Sequence, residues 1–117
     1  MKTVPSDPKA LCLKLLKRSN CSVQVSAVLT TKGIVTAVGW NHSGPSGFGE
    51  HAEQHCFKRS NFKSIPKSVL YVAARRKKSK NPVIAKPCAL CWSFCRNCSY
   101  IVYRDKTGNW VTLRGDL

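Results

Sequence analysis

The sequence predicts an α/β domain built on a five-stranded mixed sheet. Three helical segments interleave with five strand segments along the chain. The first two strands are joined by a tight turn and form an antiparallel hairpin. The last two are separated by too few residues for a crossover helix, so they also pair antiparallel. With 117 residues and a hydrophobic fraction of 43%, one domain spanning 1–117 is expected, with its own core and no room for a second.

Asp7 suits an N-cap and Pro8 the first turn of an opening helix. Leu11, Cys12, Leu15 and Leu16 recur at helical spacing against Lys9, Lys14, Lys17 and Arg18, until the helix ends near Ser19-Asn20. Ser22 to Thr30 then alternates through Val23, Val25, Ala27 and Leu29. Thr31-Lys32-Gly33 signals a turn, and Ile34 to Trp40 is the second strand. The glycine-rich stretch from Asn41 to Gly49 is compatible with either a substrate gate or a plain connector. It delivers the chain to a helix predicted from about His51 to Phe62, capped by Glu50 or the loop, with Cys56 and Phe57 inward.

Ser68 to Ala74 is apolar enough for a central strand. Asn81-Pro82 breaks structure, and Val83-Ile84 is read as a short extension. Pro87 starts a helix from Cys88 to about Cys98. Tyr100 to Tyr103 and Trp110 to Leu113 are the fourth and fifth strands, joined by the tight connection Asp105 to Asn109.

The net charge of +15 is large for 13.0 kDa. Such a field attracts polyanions and speeds encounter with them; a solubility or lineage effect is the alternative. The densest cluster, Arg75, Arg76, Lys77, Lys78 and Lys80, is read as a nucleic-acid contact or a nuclear address, with a solvated loop an equal contender. No aromatic residue interleaves it, so it offers no stacking platform for single strands. No apolar run approaches the roughly 20 residues a membrane-spanning helix needs. Met1 to Pro5 lacks the apolar core of a signal peptide, so an intracellular protein, cytoplasmic or nuclear, is expected. Seven cysteines, an odd number, argue against a disulfide framework. The expected division is two metal ligands and five free thiols, with Cys12, Cys21 and Cys56 as small buried hydrophobes.

The two ligand thiols are those of Pro87-Cys88-Ala89-Leu90-Cys91, and their partner is His51-Ala52-Glu53. His51, Cys88 and Cys91 supply three zinc ligands, one short of a tetrahedron, so a fourth position stays open for water. Glu53 beside that water is a ready proton carrier. Cys88 and Cys91 sit at a helix start, where the dipole favours the thiolate. Cys95 and Cys98 extend the series to a rival four-cysteine site, although a continuous helix would spread those sulfurs over about three turns. His42 and His55 are expected to be structural or solvated.

H-x-E followed by P-C-x-x-C is the signature of zinc-dependent nucleobase deaminases. With both halves present in order, the chain resembles the cytidine deaminase superfamily from the first strand onward. That group includes cytidine, deoxycytidylate and tRNA adenosine deaminases, the AID/APOBEC editors and the deaminase half of a riboflavin biosynthesis enzyme. The resemblance implies a three-layer α/β/α fold with one zinc per chain. It also implies an enzyme that hydrolyses cytosine to uracil, with Glu53 carrying the proton to the ring nitrogen beside the attacked carbon. By the same resemblance Asn41, next to Trp40 at the end of strand two, bonds a sugar hydroxyl, with an Asx turn as the alternative. Ala52 reads the base edge through its backbone. Phe48, Trp92 and Tyr103 offer stacking surfaces or, alternatively, core packing.

Antiparallel fourth and fifth strands resemble the cytidine deaminase branch more than the tRNA adenosine and AID/APOBEC branch, which places a helix between them. The charge nevertheless favours single-stranded DNA or RNA as the partner. A free nucleotide deaminase of cytidine or deoxycytidylate is the alternative. An adenine deaminase, or a non-catalytic zinc module that binds nucleic acid, ranks behind both. A nucleic-acid editor would be a monomer, whereas free-nucleotide members often assemble.

Overall fold

Asp7 caps the first helix as the sequence indicates: its Oδ1 accepts the Lys9 N–H at 3.0 Å. In the computed structural model, which describes residues 7–43 and 49–115, helix α1 spans Pro8–Leu15 and tightens into a 3₁₀ turn over Leu16–Arg18. The apolar stripe of α1 buries Cys12, Leu15 and Leu16 against Val28 and Ala73 on one face of the sheet. The lysines of the other face stay outside.

The sheet is built from β1 (Val23–Thr31), β2 (Ile34–Trp40), β3 (Ser68–Arg76), β4 (Tyr100–Arg104) and β5 (Trp110–Arg114) in the order β2-β1-β3-β4-β5. β1 runs antiparallel to both β2 and β3, β3 is parallel to β4, and β4 is antiparallel to β5. Lys32 and Gly33 both take positive φ, 54° and 77°, as a two-residue hairpin turn demands. Central β1 and β3 are apolar on both faces because both are covered. Val28 and Ala73 meet α1, while Ala27, Leu29, Leu70, Val72 and Ala74 meet helices α2 (Ala52–Lys58) and α3 (Ala89–Cys95). The mixed sheet with helices on both sides is the predicted architecture.

Several boundaries differ from the sequence reading. A sixth, two-residue strand, Pro82–Val83, pairs antiparallel with Ala74 and Arg75 of β3, so Val83 extends the sheet while Ile84 is exposed. The helix expected to reach Phe62 stops at Lys58. Asn61 starts a separate 3₁₀ turn over Phe62–Lys67, with its Oδ1 accepting the Lys63 N–H at 3.0 Å. α3 likewise closes at Cys95, where Cys98 N–H turns back to the Cys95 carbonyl. Glu50 does not cap α2. It lies in a two-residue ribbon, His42–Ser43 against Gly49–Glu50, within the stretch read as a loop. Cys12 and Cys56 are buried as expected, but Cys21 is half-exposed. Among the described residues, no helix is long and apolar enough to cross a membrane.

α2 is set at its depth by Gly39 of β2. A Cβ there would lie 2.6 Å from the Ala52 carbonyl and collide with the Cys56 amide, both backbone groups that cannot swing aside. Gly39→Ala should therefore cost about 1–3 kcal/mol of stability, read as a lower midpoint in urea unfolding. An unchanged midpoint would show that α2 does not rest on β2 this closely.

Candidate active site

α2 and α3 both begin on the metal-set residues. His51 is the N-cap of α2, its N–H bonded to Gln54 Oε1 at 3.0 Å. Cys88 is the N-cap of α3, entered from the buried Pro87, and Cys91 lies in the first turn, fully buried. Packing both helices on the same face of β1 and β3 brings the two N-termini together, although the motifs lie 37 residues apart. His51 Nδ1 lies 3.2 Å from Cys91 Sγ and 3.7 Å from Cys88 Sγ, and one ligand atom of each residue falls within 4.8 Å of the other two.

These separations fit zinc. Bonds of about 2.3 Å to sulfur and about 2.0 Å to nitrogen span a tetrahedral N–S edge of roughly 3.5 Å. The donor set suits the same ion: two soft thiols and an imidazole. Cys95 and Cys98 are fully buried and lie outside this group, so the rival four-cysteine site is not assembled.

Electrostatics sharpen the case. Burial first, and then the Glu53 carboxylate, push the Cys91 thiol far above its ordinary range. The helix-start dipole invoked from sequence does not overcome these two effects. A divalent cation does, since its charge deprotonates a coordinating thiol outright. Glu53 lies in the first turn of α2, is 6% exposed, and hydrogen-bonds Cys91. Burial raises its carboxyl above the usual carboxylate range.

His51, Glu53 and Cys88 line one cleft of about 210 Å³, together with Ala52 and Asn41. Its other walls include Val25, Ala74, Val83 and Lys86, none of which the sequence reading placed at the site. A signal for them existed. Val25 and Ala74 share the strand face of Ala27 and Val72, and Lys86 immediately precedes Pro87.

Asn41 is in place but largely committed. Its Oδ1 accepts from Ser19 Oγ at 2.6 Å and from Val25 N–H at 2.8 Å, and its Nδ2 donates to the Val23 carbonyl at 2.9 Å. One Nδ2 proton is left for a ligand. Trp40 is absent from the cleft lining: its ring packs edge-on to His55 at 4.8 Å, with the Arg18 and Arg59 guanidinium groups over it at 5.3 and 5.8 Å. Trp92 lines a separate hollow with Pro87 and Leu113, and Tyr103 is buried in the core beneath α2 and α3. Phe48 lies outside the described residues.

The basic cluster forms the end of β3 and the turn that follows. Arg75 Nε is held by Gln24 Oε1 at 2.8 Å, while Arg76, Lys77, Lys78 and Lys80 are exposed. Arg76 shares the face of Ala74, two residues back, and the turn leads directly into Val83 of the cleft.

No protein-family model and no curated protein sequence matches the chain. Among solved structures it is similar to a cytidine deaminase from Burkholderia pseudomallei, with 14% identity and a TM-score of 0.69 over 97% of this chain and 94% of that one. It is also similar to a dCMP deaminase from the cyanophage S-TIM5, with 25% identity and a TM-score of 0.60 over 90% and 87% of the respective chains. The chain has the cytidine deaminase fold.

Proposed function

We propose that this chain, folded as a cytidine deaminase, is a zinc-dependent hydrolase that converts cytosine to uracil in single-stranded DNA or RNA. The observation that carries the chemistry is that Glu53, His51 and Cys88 line one cleft, with the buried Cys91 grouped with His51 and Cys88 behind it. When bound, zinc supplies the Lewis acidity that makes water nucleophilic near neutral pH.

The rest falls to the chain's own residues. Glu53 takes a proton from the attacking water and passes it to the ring nitrogen beside the reacting carbon. It then takes the remaining proton from the added hydroxyl as that becomes the carbonyl and gives it to the amine as the carbon–nitrogen bond breaks, so that water is consumed and ammonia released. Its burial suits this exchange, because a carboxyl held above its ordinary range keeps a proton long enough to donate it. Val25, Ala74 and Val83 give the base an apolar slot, and the Ala52 backbone and the free Asn41 Nδ2 proton are left to orient it.

The substrate class rests on charge. Exposed Arg76 ends β3, Lys77, Lys78 and Lys80 follow it in the segment leading to Val83 of the cleft, and Lys86 lines the cleft, where each can neutralise phosphates flanking the reacting nucleotide. A free nucleotide is the second reading, favoured by the two neighbours, one a cytidine deaminase and the other a dCMP deaminase. Salt separates the two. Engagement of six or more phosphates should cut apparent affinity about 10³-fold between roughly 50 and 200 mM salt. The check is the Michaelis constant for an oligonucleotide and for dCMP across that range. A salt-insensitive oligonucleotide, or turnover of dCMP alone, would move the chain to the free-nucleotide class.

A further inference from the structure

A second group of ligand side chains lies beside the first, and the proposed chemistry uses none of it. His42 and Glu50 are register partners in the two-residue ribbon, which brings His42 Nε2 to 3.4 Å from Glu50 Oε1. His55 approaches from α2, its ring 5.1 Å from that of His42 and nearly perpendicular to it. One ligand atom from each of the three lies within 4.8 Å of the other two, the same closeness found for His51, Cys88 and Cys91.

The backbone orients both imidazoles. β2 is an edge strand, and the Trp40 carbonyl on its outer side lies 3.3 Å from Nδ1 of His42 and 3.3 Å from Nδ1 of His55. A carbonyl has two lone pairs, so it can take an N–H from each ring. The Trp40 N–H, 3.2 Å from His55 Nδ1, serves the opposite tautomer of that ring. With both rings donating to the carbonyl, each is left with Nε2 as a bare lone pair, and that of His42 faces the Glu50 carboxylate. His42 Nε2 and Glu50 Oε1 then face each other at 3.4 Å as two acceptors, a repulsion that a bound cation relieves. Anchoring the far nitrogen on a carbonyl is how metal-binding histidines are held.

The surrounding charges restrict the ion. Lys58 Nζ binds Glu50 Oε2 at 2.8 Å and leaves Oε1 turned toward His42, while Arg18 and Arg59 stand over the nearby Trp40 ring. A site with one carboxylate is poor for calcium or magnesium, which need several oxygen ligands. Two imidazoles and one carboxylate oxygen are a zinc set.

We propose that His42, Glu50 and His55 bind a second zinc-class divalent ion. The ion ties the ribbon to α2 at the residue immediately before His51, and so fixes the approach to the cleft. The site stands independently of the deaminase reading, because its donors are not those of the reaction.

The test counts metal on the full chain after loading with zinc and removal of free ion. Wild type should hold two equivalents, the His42→Gln/His55→Gln variant one, and the Cys88→Ser/Cys91→Ser variant one. Cobalt tells the sites apart: the thiolate-to-cobalt charge-transfer band should persist in the histidine variant and vanish from the cysteine variant, which keeps only ligand-field bands. A single equivalent in wild type, or two in the histidine variant, would overturn the proposal. Should the histidine variant not fold, Glu50→Gln should weaken the second equivalent about tenfold or more in a competitive zinc titration and leave the first unchanged. Equal affinities in that titration would also overturn it.

Discussion

Glu53→Gln should lower kcat by about 10²- to 10⁴-fold with the ligand set still loaded, the range a positioned general acid/base supplies. The loss should sit at the upper end, since one carboxyl serves both proton transfers. No substitute is at hand, because among the described residues Asp7, Glu50 and Asp105 all lie outside the cleft lining. Gln keeps the volume and removes a group whose charged form burial disfavours, so the fold should be retained or slightly stabilised. Steady-state kinetics beside a zinc count checks it. Unchanged kcat would mean that the group holds zinc for a structural purpose only, as a nucleic-acid-binding module would.

Removing a ligand should be as severe by another route. Cys91→Ser replaces a fully buried soft donor with a hydroxyl, and Cys88→Ser does the same at an exposed position. Altering a partner behind a ligand already costs 10- to 100-fold in metal affinity, so losing the ligand itself should cost at least about 100-fold, and turnover with it. Cys91→Ser should be the worse of the two for stability, because its neighbours cannot rehydrate. Wild-type zinc affinity should fall as pH is lowered, since protons compete with the ion for both sulfurs and binding must expel them. Calorimetry in buffers of different ionisation enthalpy measures that release. Affinity indifferent to pH would show that the thiols are not the ligands.

Most of the sheet and the meeting of His51, Cys88 and Cys91 could be read directly from the sequence, for local reasons. Alternation in Val23 to Leu29 and the short Asp105 to Asn109 connection fix strand faces and pairing without knowledge of the rest of the fold. The spacing of Cys88 and Cys91, with His51 and Glu53 two apart, fixes which donors share a helix start. What escaped depends on competition between distant groups. The end of α2 is decided by Asn61 serving the next turn instead of continuing the helix. Asn41 is occupied by Ser19 and by two strand residues that no linear pattern links to it. Trp40 and Tyr103 are aromatic and near the motifs in sequence or topology, yet Trp40 turns to the outer edge of β2 and Tyr103 into the core. His42 and His55, expected to be structural or solvated, meet Glu50 only because a two-residue ribbon, too short for any periodicity to reveal, pairs His42 with it.

The most direct test is to incubate the zinc-loaded chain with a cytosine-containing single-stranded oligonucleotide, dCMP and cytidine. Uracil is then followed by mass spectrometry, with Glu53→Ala as the blank. Uracil should form with the native chain and stay at background with Glu53→Ala, while both carry zinc on the His51, Cys88 and Cys91 ligands. No uracil from any of the three substrates, or equal amounts from the native chain and the variant, would contradict a hydrolytic deaminase built on this cleft.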